Sequence, residues 1–283
     1  MPQQLPQHKA LILSDFGVQL RRVTFAEEKN KPVTYPHQDD YYIIGMVEKG
    51  SGSGIIDFKE CNFSQGDVFL IQPGQVHRFI GSNDVEGWIL FTDSSFVGDA
   101  EKNIFDNFLL FASSVKVGIQ RMNELKQIAS ILADRIGRAS DKQSKTTARR
   151  LTETFVSIVA ETVQETGLQH IKSSRRQIEI VLAFRHLLTE HLAVNRSPSY
   201  YASHLNISPA YLNEVVKEVT GMNASSYIRN ETVLQAKRLL VHTTLAVKEI
   251  SDRLGIDDYA YFSRLFTQTA GVSPSVFRER NLE

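Results

Sequence analysis

The feature that most constrains this chain is a short helical grammar that occurs twice in its last hundred or so residues. In the first copy a helix from Pro198 carries the small Ala202, where a second helix must pass close. Leu205 and Ile207 flank a turn, and a helix opening at Ser208 offers Leu212, Val215 and Val216 as its buried face. In the second copy Ser251 is the small residue, Gly255 makes the turn and Asp257 is the expected N-cap. Phe262, Leu265 and Phe266 form the apolar stripe. Between the copies, Ala224–Val241 reads as one helix with Tyr227, Ile228, Ala236, Leu239 and Leu240 as anchors. A helix of that span is about 27 Å long. It suits two recognition helices set about one DNA turn, near 34 Å, apart. Ser197-Pro198, Ser208-Pro209 and Ser273-Pro274 each mark a helix start, because serine accepts an orphan backbone N–H and proline needs none at the first position.

The first hundred residues read differently. Tyr41–Val47 is an apolar run rich in β-formers that ends in the glycine-rich Lys49–Gly54, read as a turn. Ile55–Phe58, Val68–Ile71, Phe79-Ile80 and Trp88–Phe91 continue the series, a pattern of many short strands that suits a barrel or sandwich. Helical spacing then takes over at Leu125, Ile128, Leu132 and Ile136, and again at Leu151, Phe155, Ile158, Val159 and Thr162. Arg138–Arg150 between them reads as a polar connection, and Gly167–Ser174 as a linker. The two stripes can pack on the barrel or on a partner subunit. The expected fold is therefore α+β. Residues 1–105 form a β-barrel domain, 106–172 a helical dimerisation segment and 173–283 an all-α domain with two helix-turn-helix units.

Charge adds little. The whole chain is neutral, and residues 173–283 carry 13 Lys+Arg against 11 Asp+Glu, a weak excess for a nucleic-acid domain. No apolar run approaches the roughly 18 residues of a membrane span. The N-terminus lacks a signal-peptide pattern. Cys61 stands alone, so no intramolecular disulfide forms. These points favour the cytoplasm and no membrane.

Residues 176–283 resemble the AraC/XylS-type DNA-binding domain. The resemblance rests on Gly255 followed by Tyr261, Phe262, Ser263, Arg264 and Phe266. It continues through Gly271, Ser273, Pro274, Phe277 and Arg278, with Ala236–Leu240 at the end of the connecting helix. Thr267-Gln268 and Thr232 stand where that family commonly has basic residues. The N-terminal half resembles the cupin-type sensor joined to such domains, through Gly66-Asp67, Gly74 and His77, with His37 remaining from a degraded first motif. Asp39 stands where a second histidine is usual.

The resemblance implies a sequence-specific transcriptional regulator, not an enzyme, controlled by a small-molecule effector of unknown identity. Its expected partners are double-stranded DNA and a second copy of itself, with RNA polymerase left open. The expected DNA-contacting residues are Tyr211, Asn213, Glu214 and Lys217 in the first unit and Tyr259, Ser263, Arg264 and Thr267 in the second; Tyr261 reads as core. The expected effector residues are His37, Tyr42, His77 and Trp88. No cofactor, metal or catalytic residue is assigned, because His37, His77 and Asp39 alone make an incomplete ligand set. Two rivals remain open: a metal-dependent cupin enzyme with an appended helical domain, and an effector-free regulator whose sensor half only dimerises.

Overall fold

The computed structural model describes residues 7–8, 14, 16–24, 33–109, 111–167 and 174–282. They separate into two compact units, one up to residue 167 and one from residue 174. The linker expected at 167–174 lies outside the described residues apart from its two ends, as does most of the N-terminal stretch before Phe16.

In the N-terminal unit, β1 (Gln7–His8) pairs with β3 (Gln38–Asp39) in a small parallel bridge. The main sheet is antiparallel. It holds β2 (Val18–Val23), β4 (Tyr41–Ile56), β5 (Lys59–Ser64), β6 (Asp67–Ile71), β7 (His77–Asp93) and β8 (Ser114–Lys116). Its order is β2-β7-β4-β6-β8, with β5 on β4. The glycine-rich Lys49–Gly54 does not reverse the chain as expected. It lies inside β4, where register shifts between Val47 and Gly54 let a sixteen-residue strand bend along β7 without breaking its pairing. The strands expected separately at Phe79 and Trp88 are likewise one strand, β7.

The bend gives the sheet two buried faces. Tyr42, Ile44, Met46, Leu70 and Leu90 pack with helices α1 (Asp99–Leu109), α2 (Ile119–Gly137) and α3 (Lys142–Gly167). Tyr41, Ile43 and Ile71 form a second cluster on the opposite face, with Phe69, Ile89 and Phe91 packed against it. The stripes of α2 and α3 end in the first of these cores: Leu125, Leu132, Phe155 and Val159 are buried there, with Ile128, Ile136, Leu151 and Ile158 packed alongside. The helical segment thus belongs to the same compact unit as the strands. The connection between α2 and α3 is shorter than the sequence suggests. Asp141 Oδ1 accepts from the N–H groups of Gln143 and Ser144 at 2.8 and 2.9 Å, which starts α3 inside the stretch read as polar linker.

The C-terminal unit is all helix. Its elements are α4 (Arg175–His191), α5 (Pro198–His204), α6 (Pro209–Thr220), α7 (Ala224–His242), α8 (Val247–Arg253), α9 (Tyr259–Ala270) and α10 (Pro274–Leu282). Both helix-turn-helix pairs stand where the grammar put them, and Ala202 and Ser251 are fully buried at the crossings. Ser208 caps α6 by accepting from Tyr211 N–H at 3.1 Å. The cap of α9 is Asp258, not Asp257, accepting from Tyr261 N–H at 2.9 Å. The connecting α7 has 19 residues, hence about 28 Å, and packs against both α6 and α9.

Candidate nucleic-acid interface and sensor cavity

Each recognition helix buries one stripe and shows the other side to solvent. In α6, Leu212, Val215, Val216 and Val219 are buried; Glu214 and Lys217 are exposed and Tyr211 is half-buried. In α9, Phe262, Leu265 and Phe266 are buried; Tyr259, Arg264 and Thr267 are exposed and Ser263 is half-buried. The start of α9 projects furthest, since every residue from Asp257 to Tyr261 is exposed. Tyr261 was expected in the core. It is 46% exposed, on the same exposed first turn as Tyr259. Recognition helices present their N-terminal residues to base edges, so Tyr261 joins the candidate face.

Asn213 has a structural task. Its Oδ1 accepts from the backbone N–H of Ala224 at 3.1 Å, one of the orphan donors that open α7. The side chain expected to read adenine therefore ties the recognition helix to the connecting helix. Thr267 Oγ1 also bonds locally, donating to the Ser263 carbonyl at 2.7 Å. Thr232, which stands where the resemblance led to expect a basic residue, is buried and donates to the Ile228 carbonyl at 2.8 Å.

Two arginines that the sequence reading did not weigh individually hold the second unit together. Arg196 donates to the carbonyls of Leu254, at 2.5 Å, and Gly255. Arg278 donates to the carbonyls of Leu240 and Leu245 at 2.9 and 2.6 Å, and burial lowers its pKa. The signal for them was faint, because a lone arginine near a turn reads equally as a solvated side chain.

The face of the sheet carrying Ile43, Phe69 and Ile71 borders a half-open cavity of about 460 Å³, within the size range of small-molecule sites. Its wall is mainly apolar, including Ile43, Phe63, Phe69, Ile71, Phe79 and Phe91. Its polar groups gather at His37, Asp39, Tyr41 and His77, with Arg21 and Arg78 also lining it. The rings of His37 and His77 lie 4.2 Å apart, centroid to centroid. Tyr42, by contrast, points to the other face of the sheet, against Phe105, and burial pushes its phenol up to about 12, with Asp106 adding to the shift. Its neighbour Tyr41 takes the place in the cavity. Burial, and then the negative charge of Asp39 nearby, hold the Tyr41 phenol far above its ordinary range. Trp88 borders the cavity while packing against the sheet–helix core, with Arg22 over its ring at 5.2 Å. Of the four expected effector residues, then, the two histidines converge, Trp88 borders the site and Tyr42 is outside it.

A helical pair suited to duplex DNA, repeated, in the same chain as a sheet unit with a cavity, defines a DNA-binding regulator with a ligand-binding domain. Comparison with known proteins agrees. The profile of the AraC-like ligand binding domain matches residues 23–154, and that of a helix-turn-helix domain matches residues 201–280. The chain belongs to the AraC/XylS-type transcriptional regulators with an N-terminal sensor domain.

It is 22% identical over 287 residues to the HTH-type transcriptional activator RhaR of Cronobacter sakazakii, covering 94% of each chain. It is 25% identical over 243 residues to the arabinose operon regulatory protein of Escherichia coli K12, covering 84% of this chain and 80% of that one. Among solved structures, it aligns with unsaturated-fatty-acid-bound ToxT of Vibrio cholerae at 14% identity and a TM-score of 0.44, over 92% of this chain and 94% of that one. The rival reading as a metal-dependent enzyme finds no support in these likenesses.

Proposed function

We propose that the chain regulates transcription by binding specific duplex sites through α6 and α9 while a small organic effector, held in the N-terminal cavity, biases that binding. The observation that carries this reading is the largely apolar cavity with a polar cluster at His37, Asp39 and His77, in the same chain as two helix-turn-helix units. Apolar walls supply affinity, and a few placed polar groups fix orientation. Phosphate contacts set the register of the helices on DNA, and base-edge contacts from Tyr211, Glu214, Lys217, Tyr259, Tyr261, Ser263 and Arg264 choose the sequence. RNA polymerase is a further partner of such a regulator.

The sensor comprises the strands together with helices α1–α3, in the unit that ends at residue 167, and the DNA reader the helices from residue 174 onward. The protein acts in the cytoplasm, in keeping with its lone cysteine and with no described helix long and apolar enough to cross a membrane. It works as a homodimer. The inner stripes of α2 and α3 are covered by their own sheet, so the dimer contact falls on the outer side of α2, where Ile119 and Ile131 are 83% and 53% exposed. Light scattering then gives twice the 32.0 kDa chain mass.

The test begins with selection of bound fragments from the source genome. DNA affinity is then measured with pools of small metabolites, for wild type and for Ile71→Trp, which fills the cavity from the Tyr41–Ile43 cluster. An effector shifts wild-type affinity by about 5–150-fold, the usual range of coupling between sites. It leaves Ile71→Trp unmoved. A shift of equal size in both proteins overturns the cavity as the effector site.

A further inference from the structure

We infer that the sensor cavity carries a site for one divalent transition-metal ion, ligated by Nε2 of His37, Nε2 of His77 and the carboxylate of Asp39. All three residues are buried, at 5%, 7% and 2% exposure, and line the cavity. Their ligand atoms lie within 4.8 Å of one another. The backbone sets them there. His37 and His77 exchange reciprocal N–H to carbonyl bonds of 3.0 and 2.9 Å, and the Asp39 carbonyl accepts from Gly74 N–H at 2.8 Å.

The protons of the two imidazoles are placed by their neighbours. His37 Nδ1 lies 3.0 Å from the Tyr35 carbonyl oxygen, and His77 Nδ1 lies 3.1 Å from that of Gln75. A carbonyl oxygen only accepts, so both Nδ1 atoms are donors. In the neutral ring that leaves the lone pair on Nε2. Both Nε2 atoms turn toward Asp39 Oδ2, at 3.8 Å from His37 and 3.3 Å from His77. Two nitrogen lone pairs and a carboxylate oxygen facing one another in a buried site repel unless a proton on one ring or a cation among the three atoms intervenes. Backbone carbonyls that fix the tautomer of both rings are the outer-shell arrangement of metal-binding histidines.

The distances of both nitrogens from Asp39 are close to those a metal needs. Metal–ligand bonds of about 2.0–2.2 Å in tetrahedral geometry put ligand atoms about 3.3–3.6 Å apart. The His77–Asp39 distance is already there. The His37–Asp39 distance must close by a few tenths of an ångström. Two imidazoles and one carboxylate suit zinc, ferrous iron, cobalt or nickel better than magnesium or calcium, which prefer oxygen. Three protein ligands leave at least one position open to the cavity, where a chelating oxygen or nitrogen of a small molecule can complete the shell. The inference deepens the effector reading but does not rest on it, since metal loading is measured without DNA.

The experiment titrates the full-length protein, stripped with chelator and exchanged into chelator-free buffer, with Co²⁺, and follows the visible d–d absorption. One Co²⁺ per chain is expected, displaced by Zn²⁺, with a melting temperature that rises with Co²⁺ concentration. His77→Gln and the near-isosteric Asp39→Asn should each weaken binding by more than the roughly tenfold to hundredfold that loss of an outer-shell partner causes. Far-UV circular dichroism confirms that each variant is folded. His186→Gln, on exposed α4, leaves binding unchanged. Absence of stoichiometric d–d bands in wild type overturns the proposal whatever the variants do, as does equal binding by folded Asp39→Asn. Metal binding alongside an effector-insensitive DNA affinity in the metabolite assay above would leave this site standing while the effector reading fails.

Discussion

Replacing Gly255 by alanine tests how the second helix-turn-helix is locked. Gly255 has φ +70° in the turn between α8 and α9, and a Cβ there meets the Ala193 carbonyl oxygen at 1.8 Å and its carbon at 2.8 Å. Backbone cannot yield to that contact as a flexible side chain can. Gly271, at the end of α9, has φ +78° with nothing within 4 Å of the same atom. Both substitutions carry the left-handed penalty of about 1–2 kcal/mol. Only Gly255→Ala must also displace the Ala193 backbone or the turn, and the turn's carbonyls are those Arg196 holds. A hydrogen bond from a charged donor contributes about 1.5–3 kcal/mol, and half-buried Arg196 stands at the low end. The difference between the variants is thus about 1.5–2 kcal/mol. For a domain near 100 residues each kcal/mol moves the melting temperature by about 4–8 °C. Gly255→Ala should melt about 6–16 °C below Gly271→Ala in full-length protein followed by far-UV circular dichroism. Melting of the two variants within about 2 °C of each other would refute the close-approach argument.

Further outcomes follow from single side chains. Arg264→Ala, on the exposed side of α9, should weaken operator binding by about 1–3 kcal/mol while shifting stability by no more than about 0.5 kcal/mol; a large loss of melting temperature would make Arg264 structural. Asn213→Ala should destabilise by about 0.5–2 kcal/mol through loss of the bond to Ala224 N–H, whereas Asn213→Asp keeps the acceptor and the stability; equal melting of both would remove the capping role. Glu48 joins β4 to Arg22 of β2 and Lys126 of α2. Burial alone would raise its pKa, but the hydrogen bonds from Arg22 and Lys126 outweigh it and hold the carboxyl below its ordinary value. Its contribution is therefore complete above the unfolded pKa of about 4.3 and is lost as pH falls through the lower folded value. Acid melting curves of wild type should converge on those of Glu48→Gln, and curves that stay parallel would exclude this linkage.

The C-terminal unit was legible because its signals are local. Ser208 and Pro209 mark a helix start by their own chemistry, and Phe262, Leu265 and Phe266 mark a face by spacing alone. The misplaced cap at Asp257 is a one-residue error between adjacent acids that sequence cannot rank. The bond between Asn213 and Ala224 was not legible because Ala224 lies eleven residues away in sequence and meets it only in the folded unit.

The sensor site was less legible for a physical reason. Tyr41 to Val47 are all buried, because one face of the sheet meets helices and the other meets the cavity. A strand covered on both sides loses the polar–apolar alternation that reveals parity, and a one-residue slip exchanges the faces. That slip put Tyr42 in the cavity in place of Tyr41. The histidines were found through the motif resemblance, in which His37 and His77 keep their places. The approach of their Nε2 atoms to Asp39 depended on the reciprocal pairing of His37 with His77, which no spacing announces.

The account stands most directly on one measurement: the affinity of the full-length protein at physiological salt for its selected genomic site, compared with a scrambled duplex of equal length. A protein that reads two successive major grooves through α6 and α9 should prefer its site by about 10³-fold or more and protect two half-sites about 10–10.5 base pairs apart. Equal affinity for both duplexes, falling steeply as salt rises, would mean that phosphate contact alone holds the protein on DNA and would contradict the account.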